Sequence, residues 1–298
     1  MGWSIQDIPD QQGRIAIVTG ANSGIGFETV RALAARGTTV VMACRNPDKG
    51  QQALEQIAAE QPVAELELMS LNLSSLESVR AFAQEFGATH QRLDLLINNA
   101  GVMVPPYGLT AEGFETQLGT NHLGHFALTG LLLPLLEASD DPRVVNVSSM
   151  AHKFGRIDFE DPQSEKRYKA WQAYGQSKLA NLLFSLELNR RSNGSGVMAV
   201  SAHPGWTATN LQGSSAVMRM GNSLFAQSPP DGALPTLRAA TAPDAQAGDY
   251  YGPSGLFETR GAPVKVGRSD AARDEAVAER LWVLSERLTG VQFLSEHT

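Results

Sequence analysis

The feature that most constrains the fold is a short apolar strand that runs through a glycine-rich turn directly into a helix. Residues 14–19 are apolar and β-branched, which predicts a buried strand. Residues 20–26 read GANSGIG, and a helical pattern follows from Phe27 to Arg36 and stops at Gly37. Glycines let the backbone approach a pyrophosphate, and a helix N-terminus offers free N–H groups and a positive dipole end. The unit therefore predicts an anion site, although a glycine turn alone could be a tight strand-to-helix connection.

Short apolar strands alternate with helical segments along the rest of the chain. Further strands are predicted at residues 38–43, 65–69, 93–97, 142–149, 195–202 and 250–252. Helices are predicted at residues 48–60, from Ser74 or Ser75 to Phe86, at 110–136, around Tyr174 and at 232–240. Residues 206–230 suit a mobile substrate lid, and a tail helix is predicted at about 271–289. The alternation predicts one α/β domain over residues 1–298, with a doubly wound parallel sheet of about seven strands and helices on both faces.

Ligands bind such sheets beyond the carboxyl ends of the strands, so residues at strand ends are candidate site residues. The second strand ends at Cys44 and Arg45, where a domain that selects NAD carries a carboxylate on the ribose 2′-hydroxyl. A guanidinium can hold a 2′-phosphate through charge-assisted hydrogen bonds, so Arg45 favours NADP(H). Arg45 could instead be solvated, with Cys44 a small buried side chain. The amides and small residues at 98–101 (NNAG) would let a cofactor pass close to the backbone.

Composition and charge argue against several classes of protein. The 298 residues carry a net charge of −7, which disfavours a nucleic-acid surface. The single cysteine, Cys44, cannot form an intrachain disulfide, which suits a reducing compartment. Residues 1–12 show no secretory signal, and the most lipophilic run, 128–136, is too short to span a bilayer. We therefore expect a cytoplasmic protein that makes no stable membrane insertion and binds no nucleic acid.

A tyrosine and a lysine one helical turn apart are the candidates for acid–base chemistry. Tyr174 and Lys178 project from the same face of a predicted helix. A free phenol loses its proton near pH ~10, too high for acid–base work at neutral pH. A cation one turn away favours the phenolate, so Lys178 is expected to lower the pKa of Tyr174. The pair alone could equally be a partly exposed tyrosine beside a solvated lysine.

Together, these motifs resemble those of the short-chain dehydrogenase/reductase family, and the resemblance covers the whole chain. Residues 19–26 (TGANSGIG) resemble the family's cofactor motif, and residues 98–101 its fourth-strand motif. Asn121, Ser149 and the tyrosine–lysine pair fall in the order and spacing of its catalytic tetrad. Each motif is weak alone, but their joint occurrence on predicted strands and loops argues against chance.

The resemblance implies a Rossmann fold, an NADP(H) cofactor and reversible hydride transfer between nicotinamide and an alcohol/carbonyl pair. It makes Tyr174 the proton donor in reduction, and it gives Ser149 a hydrogen bond to the substrate oxygen, with Ser148 as the rival for that role. It has Lys178 lower the pKa of Tyr174 and hold the nicotinamide ribose, while Asn121 fixes a water. The cofactor contacts that it implies are Gly20, Asn22, Ser23, Gly24, Ile25, Gly26, Arg45, Asn72, Leu73, Asn99, Ala100, Gly101, Tyr174, Lys178, Pro204, Gly205, Thr207 and Thr209. Among these, Pro204, Gly205 and Thr209 resemble the segment that holds the nicotinamide carboxamide.

Three segments resemble the retinol-dehydrogenase-related group of this family: residues 43–47 (ACRNP), 147–152 (VSSMAH) and the tail at 281–285. Members of that group mostly prefer NADP(H) and act on lipophilic alcohols and carbonyls, so we expect a lipophilic substrate. Two departures limit the analogy. The hydrophobic anchor of membrane-bound relatives is not seen here, and Asn72 replaces the usual aspartate that accepts from the adenine amino group. An amide oxygen can accept the same bond, so adenine recognition is predicted to be weaker, not absent.

Other functions stay open on the sequence alone. The chain could be an NADP(H)-binding regulatory protein without turnover, against which the complete tetrad argues, or a C=C reductase on the same scaffold. Many relatives form homodimers or homotetramers through the helices that carry Asn121 and Tyr174, but some are monomers. No metal site is predicted, because the spacing of His122 and His125 lacks further ligands.

Several residues near predicted strand ends have two interpretations. His152 and His203 could line the cleft, but histidines at such edges often serve packing or hydrogen bonding. Apolar residues of the predicted lid could cover a substrate or pack against the core. They are Trp206, Met218, Met220, Leu224 and Phe225.

Overall fold

A twisted eight-stranded sheet forms the centre of the protein. The computed structural model describes residues 2–207 and 227–294. The strands are β1 (Ile15–Thr19), β2 (Thr39–Cys44), β3 (Leu66–Ser70), β4 (Leu95–Asn98), β5 (Arg143–Val147), β6 (Met198–Ala202), β7 (Tyr250–Pro253) and β8 (Pro263–Lys265). Their order across the sheet is β3-β2-β1-β4-β5-β6-β7-β8. The direction of winding reverses between β1 and β4, which opens a crevice beyond the carboxyl ends of these two strands.

Seven of these strands run parallel, and β8 alone is antiparallel. It pairs with β7 through the register Tyr251↔Lys265, Gly252↔Val264 and Pro253↔Pro263. The predicted α/β fold with a parallel sheet and helices on both faces is confirmed, and β8 is an addition to the seven expected strands. With three residues, β8 is too short to show a periodic pattern in the sequence.

The helices are α1 (Gly24–Ala34), α2 (Pro47–Glu60), α3 (Leu76–Thr89), α4 (Thr116–Leu118), α5 (Gly124–Glu137), α6 (Ala170–Arg191), α7 (Pro229–Thr241) and α8 (Glu275–Thr289). Short 3₁₀ turns lie at Ile5–Asp7, Met150–Phe154, Leu256–Glu258 and Asp270–Arg273. In the parts of the chain that the structure describes, no helix is both long and apolar enough to cross a bilayer.

The long helix predicted at 110–136 is shorter and interrupted. The carboxylate of Glu115 accepts from the backbone N–H groups of Gln117 and Leu118, so the helix begins at Thr116 instead of residue 110. A π-helical segment, Gly119–Leu123, then separates α4 from α5. Such π segments frequently mark functional sites, and this one carries Asn121.

Each face of the sheet is covered by one hydrophobic core. On one face, α1, α2 and α7 pack over residues such as Val18, Val40 and Leu95. On the other face, α3, α5, α6 and α8 enclose a cluster that includes Phe126 and Trp282. Strands covered on both faces read as continuous apolar runs, and these cores hold the strand ends in fixed positions.

Part of the predicted lid lies outside the described residues. The segment 208–226 contains Thr209, Met218, Met220, Leu224 and Phe225, so these predictions stay predictions. The flanking residues are described: Thr207 pairs with Gln227 in a parallel bridge, and the tail helix begins at Glu275 instead of residue 271.

Candidate active site

A cleft of about 330 Å³ lies at the carboxyl ends of the central strands. It collects most of the predicted cofactor residues from separate loops: Gly20, Asn22, Ser23, Gly24, Ile25, Gly26, Arg45, Asn72, Leu73, Asn99, Ala100, Gly101, Tyr174, Lys178 and Pro204. Gly205 and Thr207 follow Pro204 in the chain but do not line the cleft, and neither do Asn121 and Ser149. Lining residues outside the predicted cofactor contacts are Thr19, Ala43, Leu71, Val102, Met103, Thr120, Val147 and Ser148.

The glycine-rich turn leaves the first turn of α1 open toward the cleft. Gly20 and Gly24 have positive φ values of 67° and 57°, a region that favours glycine. A Cβ added to Gly26 would lie 2.3 Å from the carbonyl oxygen of Gly20. Ser23 is the N-cap of α1 but makes no side-chain capping bond, whereas the caps of α2 and α3 are bonded. The first N–H groups of α1 therefore have no side-chain cap and are available to bind an anion, whereas the N–H of Gly20 donates to the Ala43 carbonyl.

The charged residues that line the described cleft are both cations. Arg45 follows the carboxyl end of β2 and is exposed, whereas Lys178 lies on α6 and is buried. Among the described lining residues there is no carboxylate. Cys44 is buried, and burial raises the pKa of its thiol to about 11, so it behaves as a small apolar residue. The cleft thus suits a phosphate-rich ligand.

Thr19 joins the glycine turn to the loop after β4. Its hydroxyl accepts from the backbone N–H groups of Asn99 and Ala100, each at 2.9 Å. The Asn99 side-chain amide donates to the Thr19 carbonyl at 2.7 Å. Thr19 belongs to the predicted cofactor motif at 19–26 but is not among the predicted cofactor contacts, although its hydroxyl at the end of β1, next to the glycine turn, is a usable signal.

Asn121 connects the loop after β4 to helix α6. Its side-chain oxygen accepts from the N–H of Val102 at 2.8 Å, and its amide donates to the Val102 carbonyl at 3.0 Å and the Ser177 hydroxyl at 2.9 Å. Nδ1 of His125 donates to the Asn121 carbonyl at 3.0 Å. A Cβ added to Gly101 would lie 3.0 Å from Asn121 Oδ1 and 3.5 Å from Lys178 Nζ, so these residues are neighbours. The predicted role of Asn121 in holding a water stays a prediction.

Tyr174 and Lys178 lie together on α6, but their ionisation differs from the expectation. Burial raises the pKa of Tyr174 to about 12, and a hydrogen bond with Ser149 opposes this shift. Burial also lowers the pKa of Lys178 to about 8. Lys178 Nζ lies 5.7 Å from the centroid of the Tyr174 ring and donates to the Val147 carbonyl at 3.1 Å. The net shift of the Tyr174 pKa is therefore upward, opposite to the expected direction, because desolvation dominates, and the predicted effect of Lys178 stays a prediction.

The two candidate serines have different partners. The Ser148 hydroxyl donates to the Lys178 carbonyl at 2.7 Å, which fixes it against the α6 backbone although Ser148 lines the cleft. The Ser149 hydroxyl accepts from the N–H of Ala151 and so caps the following 3₁₀ turn, and it lies near enough to the Tyr174 phenol to oppose the rise of its pKa. Of the two hydroxyls, that of Ser149 is the one placed beside the phenol.

Asn72, predicted to accept from the adenine amino group, has an internal partner. Its side-chain oxygen accepts from the backbone N–H of Ser74 at 3.2 Å and from the Ser74 hydroxyl at 2.7 Å. A carbonyl oxygen offers two lone pairs, so an adenine amino group would compete with Ser74. The predicted contact is untested, and this competition is consistent with weak recognition.

The histidines serve the protein's own hydrogen bonds. His152 Nδ1 donates to the Ser149 carbonyl at 2.7 Å, and Nε2 accepts from the N–H of Ser269 at 3.3 Å. His203 Nδ1 accepts from the N–H of Gly205 at 3.2 Å, and Nε2 lies 2.9 Å from Glu258. His152 therefore holds backbone through both ring nitrogens, whereas His203 holds the Gly205 backbone through Nδ1 and the Glu258 carboxylate through Nε2.

Exposed apolar side chains surround the tyrosine end of the cleft. The Trp171 ring lies 6.2 Å from that of Tyr174, and a Cβ added to Gly175 would lie 3.0 Å from the Phe154 ring. Phe154 and Trp171 are both exposed, as is Trp206, which lies two residues after Pro204. Exposed apolar surface at the mouth of a cleft indicates binding of an apolar group.

Sequence and structural comparisons agree with this geometry. Residues 14–219 match the family described as short chain dehydrogenase. Retinol dehydrogenase 12 of Mus musculus is 44% identical over 286 residues, covering 94% of this chain and 88% of the mouse protein. The crystal structure of an uncharacterised protein from Mycobacterium paratuberculosis is 46% identical, with a TM-score of 0.83 over 98% of this chain and 99% of that one. A short chain dehydrogenase from Shigella flexneri, crystallised with NADP, is 26% identical with a TM-score of 0.64, over 82% of this chain and 98% of its own. The chain therefore belongs to the short-chain dehydrogenase/reductase family, as an NAD(P)-dependent oxidoreductase related to the retinol dehydrogenases.

Proposed function

We propose that this protein interconverts lipophilic carbonyls and alcohols with NADP(H), with Tyr174 as the proton donor in reduction. The observation that carries this proposal is that Tyr174 and Lys178 line one cleft that holds no carboxylate among its described lining residues, with Ser149 beside a phenol whose raised pKa keeps it protonated. A protonated phenol is the form required to give a proton to a carbonyl oxygen. Ser149, on the same phenol, would hydrogen-bond that oxygen as negative charge develops.

Different residues of the cleft would hold the two ends of the cofactor. The open N-terminus of α1 would hold the pyrophosphate, and Arg45 would hold a 2′-phosphate. Lys178 would donate to the nicotinamide ribose, and its ammonium would stabilise negative charge on Tyr174 after proton transfer. The bound nicotinamide supplies the hydride. NADP in the Shigella flexneri relative supports the choice of this cofactor, although its identity with the present chain is only 26%.

A lipophilic substrate is supported by the apolar surface at the tyrosine end. Phe154 and Trp171 are exposed there, and a carbonyl beside Tyr174 would carry its apolar body toward them. The names of the related proteins, retinol dehydrogenases 12 and 13, point in the same direction.

Tyr174→Phe tests the proton donor, because it removes one hydroxyl and keeps the ring. We expect loss of turnover by at least about 100-fold, the low end of general acid catalysis, with NADPH affinity unchanged within about twofold. The matched control is Tyr251→Phe, which removes a phenol bonded to Asp249 outside the cleft. The measurement is NADPH oxidation with aliphatic, aromatic and extended apolar carbonyls, beside NADPH binding by fluorescence. Turnover by Tyr174→Phe within tenfold of wild type would refute the role.

The same panel separates the alternative functions. An enone offers both a C=O and a C=C bond, and product analysis shows which one is reduced. A saturated ketone as the product would replace our proposal with C=C reduction. Tight NADPH binding with no turnover of any carbonyl would indicate a regulatory protein.

A further inference from the structure

A strained turn crosses the loop that follows β6. In the 3₁₀ turn Leu256–Glu258, Phe257 and Glu258 have φ values of 53° and 55°. Residues with a Cβ seldom adopt this left-handed region, and such residues persist only where the surrounding structure holds them. The side chains of Leu256 and Phe257 are 77% and 75% exposed, so burial of these two does not account for the turn. The contacts of the Glu258 carboxylate with His203 and Lys153 do account for it.

One oxygen of the Glu258 carboxylate holds the loop that carries Pro204. His203 Nδ1 accepts from the N–H of Gly205, so Nε2 carries the proton and donates to Glu258 Oε2 at 2.9 Å. The His203 side chain is 1% exposed, and that of Glu258 is 24% exposed. The hydrogen bond from His203 is the main reason that the pKa of Glu258 falls to about 2, so the carboxylate stays ionised at neutral pH. A charge-assisted bond at a buried ring is stronger than a surface ion pair.

The backbone beside Glu258 adds a second connection to the same loop. The N–H of Trp206 donates to the Thr259 carbonyl at 2.9 Å. Gly205 has a positive φ of 66°, and a Cβ there would lie 2.5 Å from the Thr259 oxygen. Residues 203–206 are thus pressed against the turn, and Pro204 is the member of this loop that lines the cleft.

The other carboxylate oxygen reaches the loop that carries Ser149. Glu258 Oε1 lies 3.1 Å from Nζ of Lys153, which belongs to the 3₁₀ turn Met150–Phe154. Ser149 caps that turn. A single carboxylate therefore joins the segment after β5 to the segment after β6, and these segments meet the Tyr174 end of the cleft from two sides.

We infer that Glu258 is a positioning residue that fixes the Pro204–Gly205 segment, and with it the nicotinamide end of the cofactor, relative to Ser149. This inference rests on the proposed function for its catalytic consequence, but its binding consequence stands separately. Glu258 is 55 residues from His203 and 105 from Lys153 in the sequence, and no motif marks it. We expect it to act on one end of the cofactor only, because the glycine turn and residues 71–73, which would hold the pyrophosphate and the adenine, belong to other loops.

The test compares Glu258→Ala with Glu258→Gln on two ligands. NADPH occupies both ends of the cleft, whereas 2′,5′-ADP occupies only the adenine end. For Glu258→Ala we expect NADPH to bind about 3- to 10-fold more weakly, with 2′,5′-ADP unchanged within about twofold. Glu258→Gln keeps an acceptor for His203 and should recover most of the NADPH affinity. If wild type proves to bind NADH instead, NADH and ADP replace the two ligands.

Glu67→Ala is the matched control, because Glu67 also pairs with a histidine, His90, at 3.2 Å, and neither residue lines the cleft. It should leave both affinities unchanged. Equal weakening of both ligands by Glu258→Ala, or no weakening of either, would overturn the inference. Should Glu258→Ala fail to fold, His203→Asn removes the same bond from the other side and is judged by the same two outcomes. Wild type that binds NADPH but reduces no carbonyl would defeat the proposed function alone, since the comparison of ligands needs no turnover.

Discussion

Replacing Arg45 by alanine tests whether the protein reads the 2′-phosphate of NADP(H). Arg45 lines the cleft at the carboxyl end of β2, and the described lining holds no carboxylate that could take the 2′-hydroxyl of NAD(H) instead. NADPH and NADH differ only at this position. A loss of affinity confined to NADPH would therefore report the contact directly.

The structure sets the expected magnitude. A hydrogen bond to a charged group contributes about 1.5–3 kcal/mol. Because Arg45 is exposed and solvent screens its charge, we expect the lower part of this range, about 1.5–2 kcal/mol, which weakens NADPH binding roughly 10- to 30-fold. NADH binding should change less than about twofold, and added salt should narrow the preference for NADPH because screening weakens the pair.

The assay measures the affinity of wild type and each variant for NADPH and for NADH, by fluorescence or calorimetric titration at two salt concentrations. The matched control is Lys49→Ala, which removes an exposed cation four residues further along, in α2, that does not line the cleft. It should change neither affinity. Equal weakening of NADPH and NADH by Arg45→Ala would refute a 2′-phosphate contact, and so would an unchanged preference.

Two further predictions concern the turn and the core. Gly26→Ala should lose cofactor binding and about 1–3 kcal/mol of unfolding free energy, because its Cβ would lie 2.3 Å from the Gly20 carbonyl oxygen. Gly87→Ala is the control, because the nearest atom to its Cβ would lie at 3.7 Å. Equal midpoints of urea unfolding for the two variants would contradict the clash at Gly26. Burial lowers the pKa of His122 to about 3 and of His125 to about 4, from 6.5. The unfolded chain then binds more protons than the folded protein below pH 6.5, so stability that is present above this pH is lost as pH falls toward 4. At pH 5.5 the two histidines together should lower the free energy of unfolding by roughly 2–3 kcal/mol, measured by urea unfolding. An unchanged free energy of unfolding between pH 7.5 and 5.5 would contradict buried neutral histidines.

Local patterns in the sequence predicted most of the elements around the site. Helix α2 was predicted at 48–60 and spans Pro47–Glu60, because its cap and its periodicity lie within a few residues of each other. The helix at 110–136 was predicted less well. Its actual start depends on the Glu115 carboxylate, and its π-helical segment gives no periodic signal.

The positions of the site residues were predicted better than their electrostatics. Tyr174, Lys178 and the strand-end residues do meet at one cleft, since parallel strands bring their carboxyl ends to one edge. The direction of the Tyr174 pKa shift could not be predicted, because it depends on how much water the folded protein removes. The partner of the Asn72 oxygen likewise became known only when Ser74 was placed beside it.

The sequence by itself determined the parallel α/β fold, the anion-binding turn and the order of the candidate catalytic residues, because spacing and turn chemistry act over a few residues at a time. Only the tertiary structure decided which hydroxyl meets Tyr174 and how Glu258 joins two loops. These features depend on contacts between residues far apart in the chain and on desolvation. Both arise only when the core packs and the strand ends come together.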